Sequence, residues 1–410
     1  MPDVTVLEVL FHGSPIGTLT RVAGDRTLFA FNEAYIADAD RPTLGLHFKD
    51  QHGQLITDFK PVQTKVMPFF SNLLPEGPLR VYLADRAGVR PDREFFLLWV
   101  LGRDLPGAVT IRPADGEAWP QEAITRGDTS RDAEQKHNNA LRFSLAGVQL
   151  KFSAVKDARG GLTIPATGTG GAYIVKLPSQ TYAQVPENEF SMMTLAGQVG
   201  INVPPINLVD IGAIANLPDG IGKLGAKAFV IERFDRLPNG ELVHIEDFAQ
   251  VFDVYPEDKY KTANMRNIAR VIAAESDDDD LVELVRRMTF NTLIGNGDMH
   301  LKNWSLIYPD RRNAALAPAY DFVSTIPYIP NDSAALNVSR SKSFDDFSAD
   351  ELSHFAAKAA LPEKLVLDTA RETAAKFREQ WAATKHHLPI GKDVVSAIDS
   401  HLQRVPIADE

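Results

Sequence analysis

The sequence predicts an α+β protein: a small α+β domain at the start, then a β-rich lobe and a mostly helical lobe facing each other across a cleft. Three observations point there. Short runs of alternating apolar residues open the chain, a polar stretch interrupts it after residue 113, and the hydrophobic period becomes helical from Glu246 onward. With 410 residues, 44% of them hydrophobic, the chain carries enough apolar side chain for more than one core.

Val4–Phe11 and Ile16–Val22 alternate on either side of His12-Gly13-Ser14-Pro15, which reads as a hairpin turn. Leu28–Phe31 and Leu44–Phe48 are expected to add strands. Lys65–Leu74 and Leu79–Ala87 carry helical spacing, and Arg93–Leu101 reads as a dense apolar helix. Leu105-Pro106-Gly107 breaks that helix before a strand at Ala108–Ile111. These elements make a domain over 1–113, and the polar residues 114–140 read as a linker. In 141–235, strands are expected at Lys151–Val155, Leu162–Ile164, Tyr173–Lys176 and Ala228–Arg233, with a helix at Glu187–Val199. Residues 236–410 are expected to be helical apart from a hairpin at Trp304–Ala317.

Composition excludes several functions. There is no cysteine, so disulfides, thiolate nucleophiles and Cys-ligated metal centres are ruled out. The net charge of −11 argues against a protein whose main task is gripping nucleic acid, which needs a basic face. No run is apolar for long enough to span a bilayer and the N-terminus lacks a leader pattern, so a soluble cytoplasmic protein with no membrane partner is expected. Ser276 followed by Asp277–Asp280 resembles a metal-binding run but reads better as a helix N-cap with acidic residues favoured by the dipole. Arg371, Lys376, Arg378, Lys385, His386, His387 and Lys392 make a locally basic stretch, by default a solvated helix face.

The chemistry concentrates in Asn296-Gly297-Asp298-Met299-His300-Leu301-Lys302-Asn303. Phosphoryl transfer asks a protein for metal ligands, cationic clamps and a group that positions the attacking hydroxyl. Asp298 and Asn303 are five residues apart, the spacing between base and Mg²⁺ ligand in a protein-kinase catalytic loop. The following hairpin returns the chain to Asp321-Phe322-Val323, where a second carboxylate can meet Asn303 on one Mg²⁺. Upstream, Tyr173-Ile174-Val175-Lys176 has the form of a strand delivering a lysine to phosphates, and the next helix offers Glu187 or Glu189 as its partner. Two glycine-bearing stretches, Ser144–Lys151 and Thr167–Gly171, compete for the phosphate-cradling role, and a hairpin turn explains the second. His300 reads as a residue shaping the loop; Lys302 is equally readable as a phosphate clamp or a solvated lysine.

Taken together, these segments resemble the HipA family, serine/threonine kinase toxins of bacterial toxin–antitoxin modules. The resemblance covers nearly the whole chain: Phe69–Gly77 and Gly102–Val109 in the first domain, then Phe143–Lys151, Ile174–Pro178, Asn188-Glu189, Glu232–Arg236, Glu246–Gln250, the Asp298 loop and Tyr320-Asp321 in family order. It implies a two-lobed protein-kinase-like fold and a requirement for ATP and Mg²⁺. By resemblance, Ser144 is the autophosphorylated serine, and Ala146, Gly147, Val148, Gln149, Leu150 and Lys151 form the nucleotide-binding loop. Lys176 binds phosphate with Glu189 as partner; Glu232, Arg233 and Phe234 form the hinge whose backbone holds adenine; His300, Leu301, Lys302, Asn303 and Tyr320 line the nucleotide. Asp298 is the proton acceptor, and Asn303 and Asp321 are the metal ligands.

The resemblance further implies a helix-turn-helix antitoxin of the HipB type, operator DNA reached mainly through it, and glutamyl-tRNA synthetase as a protein substrate. Leu150 departs from members that carry Glu there, Lys259–Asn267 lacks the glycines expected before the next helix, and Lys358 matches a DNA-contacting lysine without its arginine companion. Two other readings compete: a small-molecule phosphotransferase, whose loops are similar, and a non-catalytic co-repressor with a kinase-like fold. The first-domain signatures oppose the former; intact Lys176, Asp298, Asn303 and Asp321 oppose the latter.

Overall fold

The structure, a computed structural model, describes residues 5–115, 151–156, 162–163, 171–179, 181–217 and 227–409. Strands β1 (Thr5–Phe11), β2 (Ser14–Val22) and β3 (Arg26–Phe31) form a meander, flanked by β4 (Val62–Gln63) and β5 (Val109–Pro113). All pairings are antiparallel, in the order β4-β3-β2-β1-β5. Helices α1 (Glu33–Ala37), α2 (Pro68–Ser71), α3 (Gly77–Ala87) and α4 (Glu94–Leu101) lie between β3 and β5 in sequence. Strand alternation puts Leu7, Val9, Phe11, Leu19 and Phe29 into one buried cluster with Phe69, Phe70, Phe95 and Phe96 from α2 and α4.

Two expectations for this region are corrected. Leu44–Phe48 is not a strand, because its backbone polar groups are taken by another part of the chain. The Leu46 N–H donates to the Glu246 carboxylate at 3.0 Å, and the Leu44 carbonyl lies 2.7 Å from His244 Nε2. The Lys65–Leu74 helix shrinks to Pro68–Ser71. Pro68 suits a first helical turn, and just before it the Val66 N–H is captured by Glu94 at 3.0 Å.

The second sheet holds β6 (Lys151–Lys156), β7 (Leu162–Thr163), β8 (Tyr173–Lys176), β9 (Ile206–Asp210), β10 (Ile214–Ala215) and β11 (Lys227–Glu232), ordered β10-β7-β6-β8-β11-β9. Helix α5 (Val185–Val199) packs on β9 and β11. Gly171 lets the chain enter β8 tight against β6, since a Cβ there would come 2.2 Å from the Ala154 carbonyl oxygen. β9 and β10 were not read from the sequence; both are short and partly exposed, which blurs their alternation.

The last part contains a small sheet of β12 (His244–Asp247), β13 (Ser305–Tyr308) and β14 (Ala315–Leu316), so Glu246-Asp247 closes a strand where a helix was expected. Asp247 then caps the short α6 (Phe248–Val251) in a capping box with Gln250. Helices α7 (Met265–Glu275), α8 (Asp278–Leu293), α9 (Ala349–Ala359), α10 (Glu363–Thr384) and α11 (Lys392–Leu402) follow. The α8 cap is Asp277, which accepts from the Asp280 N–H at 3.0 Å. One apolar core runs from α5 through α7, α8, α9, α10 and α11 and includes Phe248, Trp304 and Phe322. Among the described residues, no helix is long and apolar enough to cross a membrane.

Candidate active site

Strand β8 delivers Lys176. Its register sets Lys176 beside Lys151 on β6 and Phe229 on β11, with Val175 and Leu177 fully buried around it. The Lys176 ammonium, itself only 5% exposed, contacts the carboxylates of Glu189 on α5 and of Asp321. Lys151 Nζ sits 3.3 Å from the other Asp321 oxygen. Burial favours the neutral amine at Lys176, but Asp321 and Glu189 outweigh it and hold the ammonium charged. Burial likewise opposes ionisation of Asp321, and the two lysines overcome it, keeping the carboxyl well below the usual range. Glu189 is different: it is raised, because burial dominates and Lys176 offsets only part of it, and its Oε2 has no hydrogen-bond partner. Of the two glutamates proposed as partner to Lys176, the structure selects Glu189.

The loop after α8 is shaped by side chain–backbone bonds. Gly295 turns the chain at φ +63°. Asn296 bonds Asn291 Oδ1 at 2.8 Å and the Asp321 carbonyl at 3.3 Å through Nδ2, and accepts the Asp298 N–H at 3.0 Å. Asn296 thereby ties the loop to the segment carrying Asp321. The β13–β14 hairpin returns the chain as expected, and Asp321 adopts φ +60°, a left-handed conformation that Asp tolerates better than most residues. Asn303 donates through Nδ2 to the Asp298 carbonyl at 2.8 Å, which leaves its side-chain oxygen as the group able to bind a cation.

Asp298 keeps solvent access at the cleft, and its Oδ1 accepts a 2.5 Å hydrogen bond from the Tyr260 hydroxyl. Its carboxyl is raised: desolvation by the surrounding protein leads, the Tyr260 bond works against it, and Asp321 adds to the rise. His300 is buried and held neutral, its pKa lowered to about 3 chiefly by burial. Its ring meets that of Tyr260 edge-on at 4.9 Å, and Nδ1 has no partner. A loop-shaping role fits it.

At the end of β11, the rings of Phe234 and Tyr320 lie 6.0 Å apart and tilted by 32°, and the Tyr320 hydroxyl bonds Ser305 and the Lys302 carbonyl. Glu232 and Arg233 use their backbone N–H groups on Pro205 and Ala172. The side chains of Arg233, Leu301 and Lys302 are engaged in other parts of the protein. Arg233 is buried against the first domain, bonded to Asp104 at 3.0 Å and to Asp235 at 2.8 Å. Leu301 is a core residue with no exposure. Lys302 reaches Glu76 and the Asn72 carbonyl, both at 2.9 Å. In each case a fully or largely buried contact outcompetes an open cleft. Ser144 and Ala146, Gly147, Val148, Gln149 and Leu150 lie outside the described residues.

The sequence reading missed two participants. Tyr260 has no motif of its own, although it falls in the segment whose missing glycines were noted. Glu76 belongs to a first-domain signature, but nothing in it indicates that Lys302 and Lys259 both clamp its carboxylate, at 2.9 and 2.7 Å. Burial opposes that ionisation, yet the two lysines bring Glu76 down to about 2.

A β-rich lobe presenting Lys176–Glu189 to a loop carrying Asp298 and Asn303 and to Asp321 beyond the hairpin is the layout of a phosphotransferase cleft. Comparison with known proteins narrows the class. Family models for the HipA N-terminal domain and the HipA-like C-terminal domain match residues 7–112 and 143–381, and the chain belongs to the HipA family. It is 59% identical to "Putative kinase Y4dM" of Sinorhizobium fredii, over 100% of this chain and 99% of that one. It is 26% identical to the serine/threonine-protein kinase toxin HipA of Shewanella oneidensis, over 86% of each. Among solved structures, the chain resembles the Shewanella oneidensis HipA in complex with HipB and its operator DNA, with a TM-score of 0.72 at 22% identity, over 98% of this chain and 96% of that one.

Proposed function

We propose that this protein is an ATP-dependent serine/threonine protein kinase and the toxin of a toxin–antitoxin module. The observation that carries the reading is the convergence of Lys176, Glu189 and Asp321 on one ionic cluster, tied through Asn296 to the loop that holds Asp298. Asp298 accepts the proton of an incoming serine hydroxyl as its oxygen bonds to the γ-phosphorus and the bond to the β–γ bridging oxygen breaks, releasing ADP. Its raised pKa makes it a better proton acceptor than an ordinary carboxylate. Lys176, fixed by Glu189, bears phosphate charge; Phe234 and Tyr320 flank the place expected for adenine.

Asp321 and the side-chain oxygen of Asn303 are the residues that would hold Mg²⁺, and two hard oxygens plus phosphates suit that ion. When bound, it supplies charge neutralisation on the phosphates. Asp321 is already ionised, and Lys151, which is 48% exposed by side chain, is the cation able to leave it.

By family membership, we infer autophosphorylation at Ser144, which would place about −1.5 to −2 charges in the loop that receives ATP phosphates and shut the enzyme off. A HipB-like helix-turn-helix antitoxin is the inferred partner, with operator DNA held mainly through it, since the net charge of −11 disfavours direct binding. Glutamyl-tRNA synthetase is the proposed substrate, and the cytoplasm the proposed location. The test is to incubate the protein with labelled ATP and Mg²⁺, alone and with glutamyl-tRNA synthetase, beside Asp298→Asn. Transfer to serine that drops by about 10²–10⁴ in the variant is expected. No transfer to itself or to any protein of a cell extract would leave the co-repressor reading in its place.

A further inference from the structure

Tyr260 lies between the turn at Pro256–Asp258 and α7, outside every motif that the kinase reading uses. Its phenol is nonetheless bonded to Oδ1 of the carboxylate that the kinase reading assigns to receive the acceptor's proton. The 2.5 Å bond to Asp298 Oδ1 is at the short end of the range for a hydroxyl donating to a carboxylate. Tyr260 is held in place from several sides. The Lys259 carbonyl accepts from the Leu301 N–H at 3.3 Å, and the Lys259 ammonium bonds Glu76 at 2.7 Å. Lys342 reaches the Tyr260 carbonyl at 3.5 Å, and the Tyr260 ring stands edge-on to His300.

We propose that the Tyr260 hydroxyl is a placeholder for the phosphoacceptor: it occupies Asp298 Oδ1 until a protein hydroxyl displaces it, and so keeps water off that oxygen of the base. This rests on Asp298 being the proton acceptor. Two further properties suit the role. Burial and the neighbouring Asp298 raise the phenol's pKa strongly, so it stays protonated and can only donate to the carboxylate. The residue is 39% exposed, which gives the ring an outward path and lets water satisfy its hydroxyl once displaced. With the hydroxyl gone, a water can take its position. The water oxygen then bonds to the γ-phosphorus, its proton passes to Asp298, and the electron pair of the breaking bond leaves with ADP. The placeholder therefore suppresses futile ATP hydrolysis.

The experiment measures ADP release from MgATP by the full chain with no added acceptor, for wild type, Tyr260→Phe, Asp298→Asn and the double variant, with thermal melting as a fold control. Tyr260→Phe keeps the ring against His300, so the fold should hold. The expected result is a rise in kcat for hydrolysis of roughly threefold to tenfold, the worth of a hydrogen bond, with the KM for ATP unchanged and the rise abolished in the double variant. A merely structural tyrosine would leave kcat equal or lower, and that outcome overturns the proposal while the kinase reading survives in wild-type transfer that Asp298→Asn removes. A raised hydrolysis that persists in the double variant overturns both the placeholder and the assignment of Asp298. Phosphate found on Tyr260 itself also overturns the proposal, because the residue would then be an acceptor.

Discussion

At the hinge, Arg233 and Arg236 share Asp104 and Asp235, and the remaining valences are closed by the Gly107 N–H and the Leu105 and Gly107 carbonyls. In the cleft, Lys176 shares Glu189 and Asp321, yet Glu189 Oε2 and His300 Nδ1 are left without partners and Asp321 sits at φ +60°. Both clusters are buried and made from the same two kinds of charge. The hinge cluster has its hydrogen bonds saturated and bolts the first domain to the β-rich lobe. The cleft cluster keeps an open acceptor at Glu189 Oε2 and a left-handed backbone at Asp321, features that collect where a ligand binds. The two clusters share their ion-pair composition and differ in hydrogen-bond saturation.

That distinction can be broken by substitution. The largest expected effect is on chemistry: Asp321→Asn should lower phosphate transfer by at least ~10³-fold, about 4 kcal/mol of barrier, while Lys176 keeps Glu189 and the fold keeps most of its stability. Labelled-ATP transfer and urea denaturation on one sample measure both. Asp235→Asn should do the reverse, costing about 3 kcal/mol of stability by leaving two buried guanidinium groups with Asp104 as their shared anion, with ATP kinetics of the folded fraction little changed. Equal losses of activity in both variants would erase the contrast.

Smaller effects test the seam between the domains. Glu246 accepts from the Leu46 N–H and from Tyr308, and burial raises its pKa from 4.5 to about 7. A raised carboxyl holds its proton in the folded state after the unfolded chain has lost it. Stability should therefore fall as pH rises from about 4.5 to about 7, by up to about 3 kcal/mol, and Glu246→Gln should flatten that slope in urea titrations at successive pH values. The mildest change is expected at Glu76, depressed to about 2 by Lys302 and Lys259. Its contribution is complete above about 4.5 and is lost as pH falls toward 2. Because its side chain is 32% exposed and screened, Glu76→Gln should cost only about 1 kcal/mol, read as a shift in denaturation midpoint at pH 7.

Much of the site was legible because its parts are local. Asp298 and Asn303 are separated by a fixed spacing, a hairpin brings back Asp321, and a strand and the next helix carry Lys176 and Glu189. Side-chain direction was not legible. Arg233, Leu301 and Lys302 sit within motifs, but burial against other parts of the chain decides where each points. The Glu76–Lys302 bond joins residues 226 positions apart, and no periodicity encodes such a pair. For the fold, Leu44–Phe48 reads as a strand because its apolar pattern is real; the pattern buries Leu44 and Phe48 in the first-domain cluster while the backbone bonds Glu246 and His244 of β12 instead of pairing a ladder.

The clamp on Glu76 also sets an order of events during synthesis. The first domain has its own apolar cluster and can form while the remainder of the chain is still being made. Its Glu76 then waits for Lys259 and Lys302, which emerge from the ribosome long after it. The loop bearing Asp298 rests on Glu76 through Lys302, so a nascent chain carries no working cleft until translation is well into its last third.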